Sequence, residues 1–221
     1  MEAARRICFK KTLKALNCKN KKGFALAVIL FLSFNFLAEA QTEVKNYEIK
    51  LAGFSIGDMV ATKTTKENRD EYLVKSIVSF WFFGTLKIEF ELLSVYEDGQ
   101  FIYSESNSKA RGEEFYSEVR WDGEKYIVNA NSYKFSNQDT IYEPIYFSTA
   151  LLFFEEPKGD ELFLSENYGV TSPFRRLKNG GLEANIKGHD NKYFFEDGFL
   201  LEANMHSTLK NYWIKRKEPE E

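Results

Sequence analysis

A faultless alternation constrains this chain more than anything else in it. In Leu86-Lys87-Ile88-Glu89-Phe90-Glu91-Leu92, apolar and charged residues take strict turns, which places four large apolar side chains on one face and three charges on the other. A helix would scatter that set around its axis, whereas a strand with one face on a core and one in water orders it. The pattern returns in Tyr47-Glu48-Ile49-Lys50-Leu51 and in Leu182-Glu183-Ala184-Asn185-Ile186, and Phe199, Leu201, Ala203 and Met205 alternate with Leu200, Glu202, Asn204 and His206. Between such runs stand Asp98-Gly99, Asp122-Gly123, Asn179-Gly180 and Asp197-Gly198, dipeptides that tolerate positive φ and reverse a chain in two residues. Strand, tight turn, strand predicts that sequence neighbours pair antiparallel. The expected fold class is therefore mainly β: a single curved antiparallel meander sheet of about ten strands, a half-barrel or open barrel.

Two segments depart from simple alternation. Tyr72, Val74, Val78, Phe80 and Phe82 fall on one parity of a strand, while Leu73, Ile77, Trp81 and Phe83 fall on the other. Such a strand is covered on both faces or lines a cavity. The run from Tyr146 to Phe154 reads as one short helix, with Ser148 or Thr149 as N-cap and Pro157 beyond its end. Its side chains are nearly all apolar, so it is expected to pack on the concave side of the sheet.

The first 40 residues read as an address. Eight basic residues (Arg5, Arg6, Lys10, Lys11, Lys14, Lys19, Lys21 and Lys22) precede an apolar run from Gly23 to Leu37, and Ala38-Glu39-Ala40 supplies a small-x-small cleavage pattern. The run is about 15 residues, shorter than the roughly 20 of a spanning helix, so a cleaved signal is favoured over an anchor. Gln41, not Cys, follows the cut, which disfavours a lipid anchor. The expected organisation is a signal peptide over residues 1–40 and a single β domain over 41–221, with 217–221 as a charged, frayed tail. Localisation is expected to be periplasmic or secreted, with no stable membrane insertion after cleavage.

Removing the leader changes the charge. The chain carries 30 basic and 33 acidic residues, of which the leader takes eight and two (Glu2 and Glu39), leaving 22 against 31, or −9. A net-acidic domain repels phosphate backbones, so nucleic acid is excluded as a partner. Cys8 and Cys18 depart with the leader, so burial rather than a disulfide holds the rest.

No catalytic constellation emerges. His189 lies in the turn-like Gly188-His189-Asp190-Asn191 and His206 on the polar parity of its strand. Two histidines without cysteine make no zinc spacing. Gly53-Phe54-Ser55-Ile56-Gly57 fits the G-x-S-x-G nucleophile elbow, but that motif needs a helix after it, and Met59-Val60-Ala61-Thr62 favours a strand. Gly53 and Gly57 are instead read as turn glycines. No metal and no cofactor are implied, and the chain is read as non-catalytic. A hydrolase of envelope polymers or esters is the enzyme alternative.

Aromatic residues are abundant: 21 Phe, 12 Tyr and 3 Trp, all but five Phe lying beyond residue 40. Cross-strand packing accounts for many aromatics in a β-protein. If the doubly apolar strand and the apolar helix face each other across the sheet, they wall a pocket for an apolar small molecule or lipid. Phe80, Phe82, Leu151 and Phe154 are the candidate ligand-binding residues. A structural or protein-binding envelope module is the alternative, and any protein partner stays open.

The opening Tyr47-Glu48-Ile49 strand, Gly53, Ile56-Gly57-Asp58-Met59, the Trp121-Asp122-Gly123 hairpin and Tyr193-Phe194-Phe195-Glu196-Asp197-Gly198-Phe199-Leu200 together resemble exported bacterial β-rich families classed as domains of unknown function. The resemblance spans residues 44–215 in outline. It implies the curved half-barrel of bacterial lipoprotein carriers, which hold acyl chains on the concave face, and it carries over no catalytic residue.

Overall fold

The computed structural model describes residues 40–81, 85–159, 161–206 and 210–218. Phe82 and the leader residues 1–39 lie outside the described residues, as do 219–221 of the tail. The first eight strands are β1 (Gln41–Leu51), β2 (Phe54–Lys66), β3 (Arg69–Trp81), β4 (Thr85–Glu97), β5 (Gln100–Ala110), β6 (Glu113–Trp121), β7 (Tyr126–Ser132) and β8 (Phe135–Ile141). A second series follows: β9 (Phe147–Ser148), β10 (Leu162–Ser165), β11 (Val170–Arg176), β12 (Leu182–Ile186), β13 (His189–Glu196), β14 (Phe199–Met205) and β15 (Tyr212–Arg216). They form one 15-stranded curved sheet in the order β8-β7-β6-β5-β4-β3-β2-β1-β15-β14-β13-β12-β11-β10-β9.

Every strand pairs antiparallel with its neighbour except β9 and β10, which run parallel. The meander predicted from alternation is therefore the architecture, with more strands than the sequence suggests. The first and last strands meet in mid-sheet, Glu48 opposite Lys215 and Ile49 opposite Ile214. The two edges, β8 and β9, are consecutive in the chain and do not pair, so the sheet curves without closing into a barrel.

The turn chemistry is visible at the tips. Asp98 and Gly99 take φ of 50° and 78°, and Asp197 and Gly198 take 55° and 79°, both residues left-handed as a two-residue hairpin requires. Gly57 is different from its expected role as a turn glycine. It lies inside β2, and a Cβ there would collide with the carbonyl oxygen of Ile77 on β3, so it serves a close strand approach.

β3 corrects the expectation of a strand enclosed on both faces. Its inward residues Tyr72, Val74 and Val78 are buried, but outward Ile77 is 55% and Trp81 78% exposed. The register of β14 also departs from strict alternation. Phe194 pairs with Glu202 and Phe195 with Leu200, which leaves Leu201 as a bulged residue. The bulge turns Leu200 into the core and Leu201 outward.

The helix expected over Tyr146–Phe154 is a single 3-10 turn, Leu151–Phe153. Phe147 and Ser148 are taken into the sheet by pairing with Phe163 and Leu164. Phe and Tyr suit a strand as well as a helix, and the parallel partner decides the matter. Glu166, rather than Ser148 or Thr149, supplies the cap: its carboxylate accepts the N–H groups of Thr149 at 2.9 Å and Ala150 at 3.1 Å.

Candidate functional site

The antiparallel order places the β1–β2, β3–β4, β5–β6, β7–β8 and β12–β13 tips at one end of the sheet. That end is called the mouth below, and the opposite end, where β2–β3, β4–β5 and β13–β14 turn, the floor. The interior between them is filled in layers.

The lowest layer is aromatic. Tyr72 meets Tyr96 edge-on at 5.4 Å, Tyr96 meets Phe101 at 5.5 Å, and Phe101 meets Tyr126 at 5.7 Å. The 3-10 turn joins this chain of rings through Phe153 on Tyr47 (5.1 Å) and Phe154 on Tyr72 (5.5 Å). Hydroxyls inside such a layer need partners, and they have them. The Tyr47 hydroxyl lies 3.2 Å from the Phe153 carbonyl oxygen and 3.3 Å from that of Leu200. Tyr126 donates to the Phe101 carbonyl and accepts the Ile145 N–H, which ties the β8–β9 connection beneath β5. Burial pushes the Tyr47, Tyr72 and Tyr96 phenols well above their ordinary range, and the negative charge of Glu166 adds to the effect at Tyr96.

The middle layer is polar. Ser94, Ser104, Ser106 and Ser117 occupy inward, buried positions on β4, β5 and β6. Residues 166–169, between β10 and β11, descend onto Ser94, Ser106 and Ser117, while the buried Ser104 hydroxyl has no partner among the described residues. Glu166, 1% exposed, accepts the Ser94 hydroxyl at 2.9 Å in addition to its two backbone donors. The Asn167 carbonyl oxygen takes the Ser117 hydroxyl at 2.9 Å, and the Asn167 amide donates to Ser132 at 3.3 Å. Gly169 lies so close to Val128 that a Cβ would overlap its side chain. The carboxylate is thus enclosed by a hydroxyl and two backbone amides. Its chemistry here is that of a clamp on the 3-10 turn.

Towards the mouth the filling thins. Phe80 on β3, Ile88 and Phe90 on β4, and Met205 on β14 continue the inward-facing parity but are only half-buried, whereas Leu86, opposite Phe80, is buried. The four residues proposed from sequence are thus divided. Leu151 and Phe154 are buried in the plug, Phe80 lies at the mouth, and Phe82 is outside the described residues. Phe154 packs on Tyr72, and Phe80 is eight residues further along the same strand, about 26 Å away. The plug and the mouth are separate places. Glu166 was missed by sequence reasoning, although the inward serines Ser104 and Ser106 announced a polar filling on that face.

Two shallow grooves run along the outer side of β7 and β8, lined by Ile127, Asn129, Gln138 and Thr140 among others, and they touch none of the proposed residues. His189 begins β13, and the backbone N–H of His206 donates to Asn191 Oδ1 at 2.9 Å. Ser55 lies exposed in β2, with no helix after it. Among the described residues, no three His, Cys, Asp or Glu side chains converge on a metal-sized site.

A curved, open, barrel-like β domain with a plugged floor and an apolar mouth is the class of protein that this geometry defines. The chain belongs to the DUF6134 family, a domain of unknown function, whose model matches residues 47–217. It is also similar to a crystal structure of a beta-barrel-like protein of domain of unknown function DUF1849 from Brucella abortus, at 9% identity and a TM-score of 0.44, over 81% of this chain and 96% of that one. No curated protein matches.

Proposed function

We propose that the mature chain is an exported, non-catalytic binding protein that takes an apolar small molecule or lipid at the mouth of its concave face. The observation that carries this reading is the contrast in filling. Phe80, Ile88, Phe90 and Met205 face inward yet stay half-buried, while the layers below are closed by rings and hydrogen bonds. Apolar surface left wet in a concavity is what a hydrophobic ligand relieves, at about 0.8 kcal/mol per buried methylene less the cost of association. The closed plug limits the ligand to the upper part of the concave face.

Export is supported by the basic run, the apolar run and the Ala38-Glu39-Ala40 pattern. A water-facing exterior is supported by cross-strand ion pairs on the outer parity, among them Lys75–Glu91 at 2.9 Å and Arg69–Glu97 at 3.0 Å. An outer-membrane barrel would carry an apolar band there. Mass spectrometry of protein purified from its native source tests the reading: an apolar molecule is expected to co-purify and to be lost in a Phe80→Ser/Phe90→Ser double variant. Absence of any such molecule, together with no binding of an apolar naphthylamine dye, would overturn it. The second reading, a protein-binding envelope module, is favoured by the outward exposure of Ile77 and Trp81 on β3.

A further inference from the structure

Five lysines lie over aromatic rings among the described residues, and one is unlike the rest. Lys45 and Lys63 also hold carboxylates, Glu43 at 2.8 Å and Asp70 at 3.2 Å. Lys125 and Lys134 each face a single ring, at 5.9 Å and 5.1 Å. The Lys187 ammonium is held by two: its Nζ is 3.4 Å from the centre of the Phe135 ring and 4.5 Å from that of Tyr168. Those rings stand edge to face at 5.6 Å. Among the described residues no carboxylate is paired with Lys187. Asp190, the acid closest in sequence, is engaged by the Asn185 amide at 2.6 Å.

The cage is built rather than incidental. Lys187 is at the β12–β13 tip with φ of 54°, where the Gly188 N–H donates to Asn185 Oδ1 at 3.0 Å. Tyr168 is fixed through its carbonyl oxygen and that of Gly169, which both accept from the Asn137 amide. Desolvation of the ammonium lowers its pKa, as expected for a cation lacking a counter-charge. An aromatic face attracts a cation but does not neutralise it, so the charge remains available to an anion.

The cage sits at the same end of the sheet as the mouth, and aromatic residues interrupted by Ser108 lie along the rim between them. Phe90 on β4 leads through its cross-strand neighbour Ser108 to Phe115 on β6. Phe115 meets Tyr133 edge-on at 6.0 Å, two residues before Phe135 of the cage.

Resting on the apolar-ligand reading above, we infer that Lys187 anchors the carboxylate head of a long-chain carboxylic acid whose tail lies along the rim towards Phe90. A carboxylate there gains charge-assisted hydrogen bonds in a partly desolvated site. One cation matches one negative charge, whereas a neutral hydroxyl head of the same length gains only a weaker ion–dipole hydrogen bond.

Calorimetric titration of the folded chain with hexadecanoate and with hexadecanol, equal in length and differing in head charge, tests this. The wild type is expected to bind the acid about ten-fold more tightly than the alcohol. Lys187→Met is expected to abolish that preference while leaving the alcohol's affinity unchanged, and Lys187→Arg to retain it. Lys187 is exposed, so both variants are expected to keep the wild-type circular dichroism spectrum. Equal binding of acid and alcohol by the wild type, or an unchanged preference in Lys187→Met, overturns the anchor and leaves the apolar-ligand reading standing. Binding of neither probe overturns that reading, and the anchor with it.

Discussion

The floor and the mouth of this sheet draw on the same residue types and meet opposite fates. At the floor, Phe101 is 0% exposed, and the Tyr47 and Tyr126 hydroxyls are bonded to main chain of the 3-10 turn and of β5. At the mouth, Phe90 lies on the inward parity of β4 and remains half-buried. Alternation gives a residue its face, but burial requires a second layer over that face. The 3-10 turn and residues 166–169 form that layer below, whereas above them Leu86 is covered and Phe80, Ile88 and Phe90 stay half-buried.

Three experiments press on this contrast, the largest effect first. Buried tyrosines keep their protons in the folded chain, whereas unfolded ones titrate near 10. Above pH 10 the unfolded state therefore binds fewer protons, and stability falls as pH rises. For Tyr47, Tyr72 and Tyr96 together this loss is expected to be the largest of the three effects at pH 11. Urea unfolding at pH 8 and pH 11 measures it, and a flat profile would show a wet floor.

Next comes a matched pair. Phe101→Ala is expected to cost about 4 kcal/mol, and Phe90→Ala about 1 kcal/mol, because only the first leaves a sealed cavity. Equal losses in denaturant melts would erase the distinction between floor and mouth. The smallest effect concerns the clamp. In Glu166→Gln an amide NH2 must replace one carboxylate oxygen, so at least one of its donors faces another donor. The expected cost is about 2 kcal/mol, with faster amide exchange at Thr149 and Ala150 as the local signature.

The meander was legible because half-buried strands write their period into sequence, as Leu86–Leu92 does without error. Several tips were not. Ala52-Gly53, Arg111-Gly112 and Lys187-Gly188 adopt the same left-handed pair as Asp98-Gly99, with φ of 51° at Ala52 and 54° at Arg111, although their first residues do not favour it. There the glycine and the pull of two pairing strands suffice. The plug was half legible: its apolar run showed, but the parallel pairing of Phe147 and Ser148 is a tertiary event with no local trace. Glu166 was invisible for the same reason, since its donors Ser94, Thr149 and Ala150 come from distant parts of the chain. The Leu201 bulge reversed the parity of its own strand, which no strict period anticipates.

The meeting of β1 with β15 sets a timetable for folding. Every other antiparallel pairing joins consecutive strands, which can zip soon after each is made; this one closes nearly the whole chain length and is expected to come late. Until then one side of β1 offers unpaired amides and carbonyls to any passing strand. Its sequence is suited to the wait. Glu43, Lys45, Glu48 and Lys50 charge the strand along its length, and charged edges discourage pairing between copies. The ion pairs they form in the finished protein, Lys45 with Glu43 and Lys50 with Glu48, lie within the strand itself, so β15 can add to β1 without breaking them.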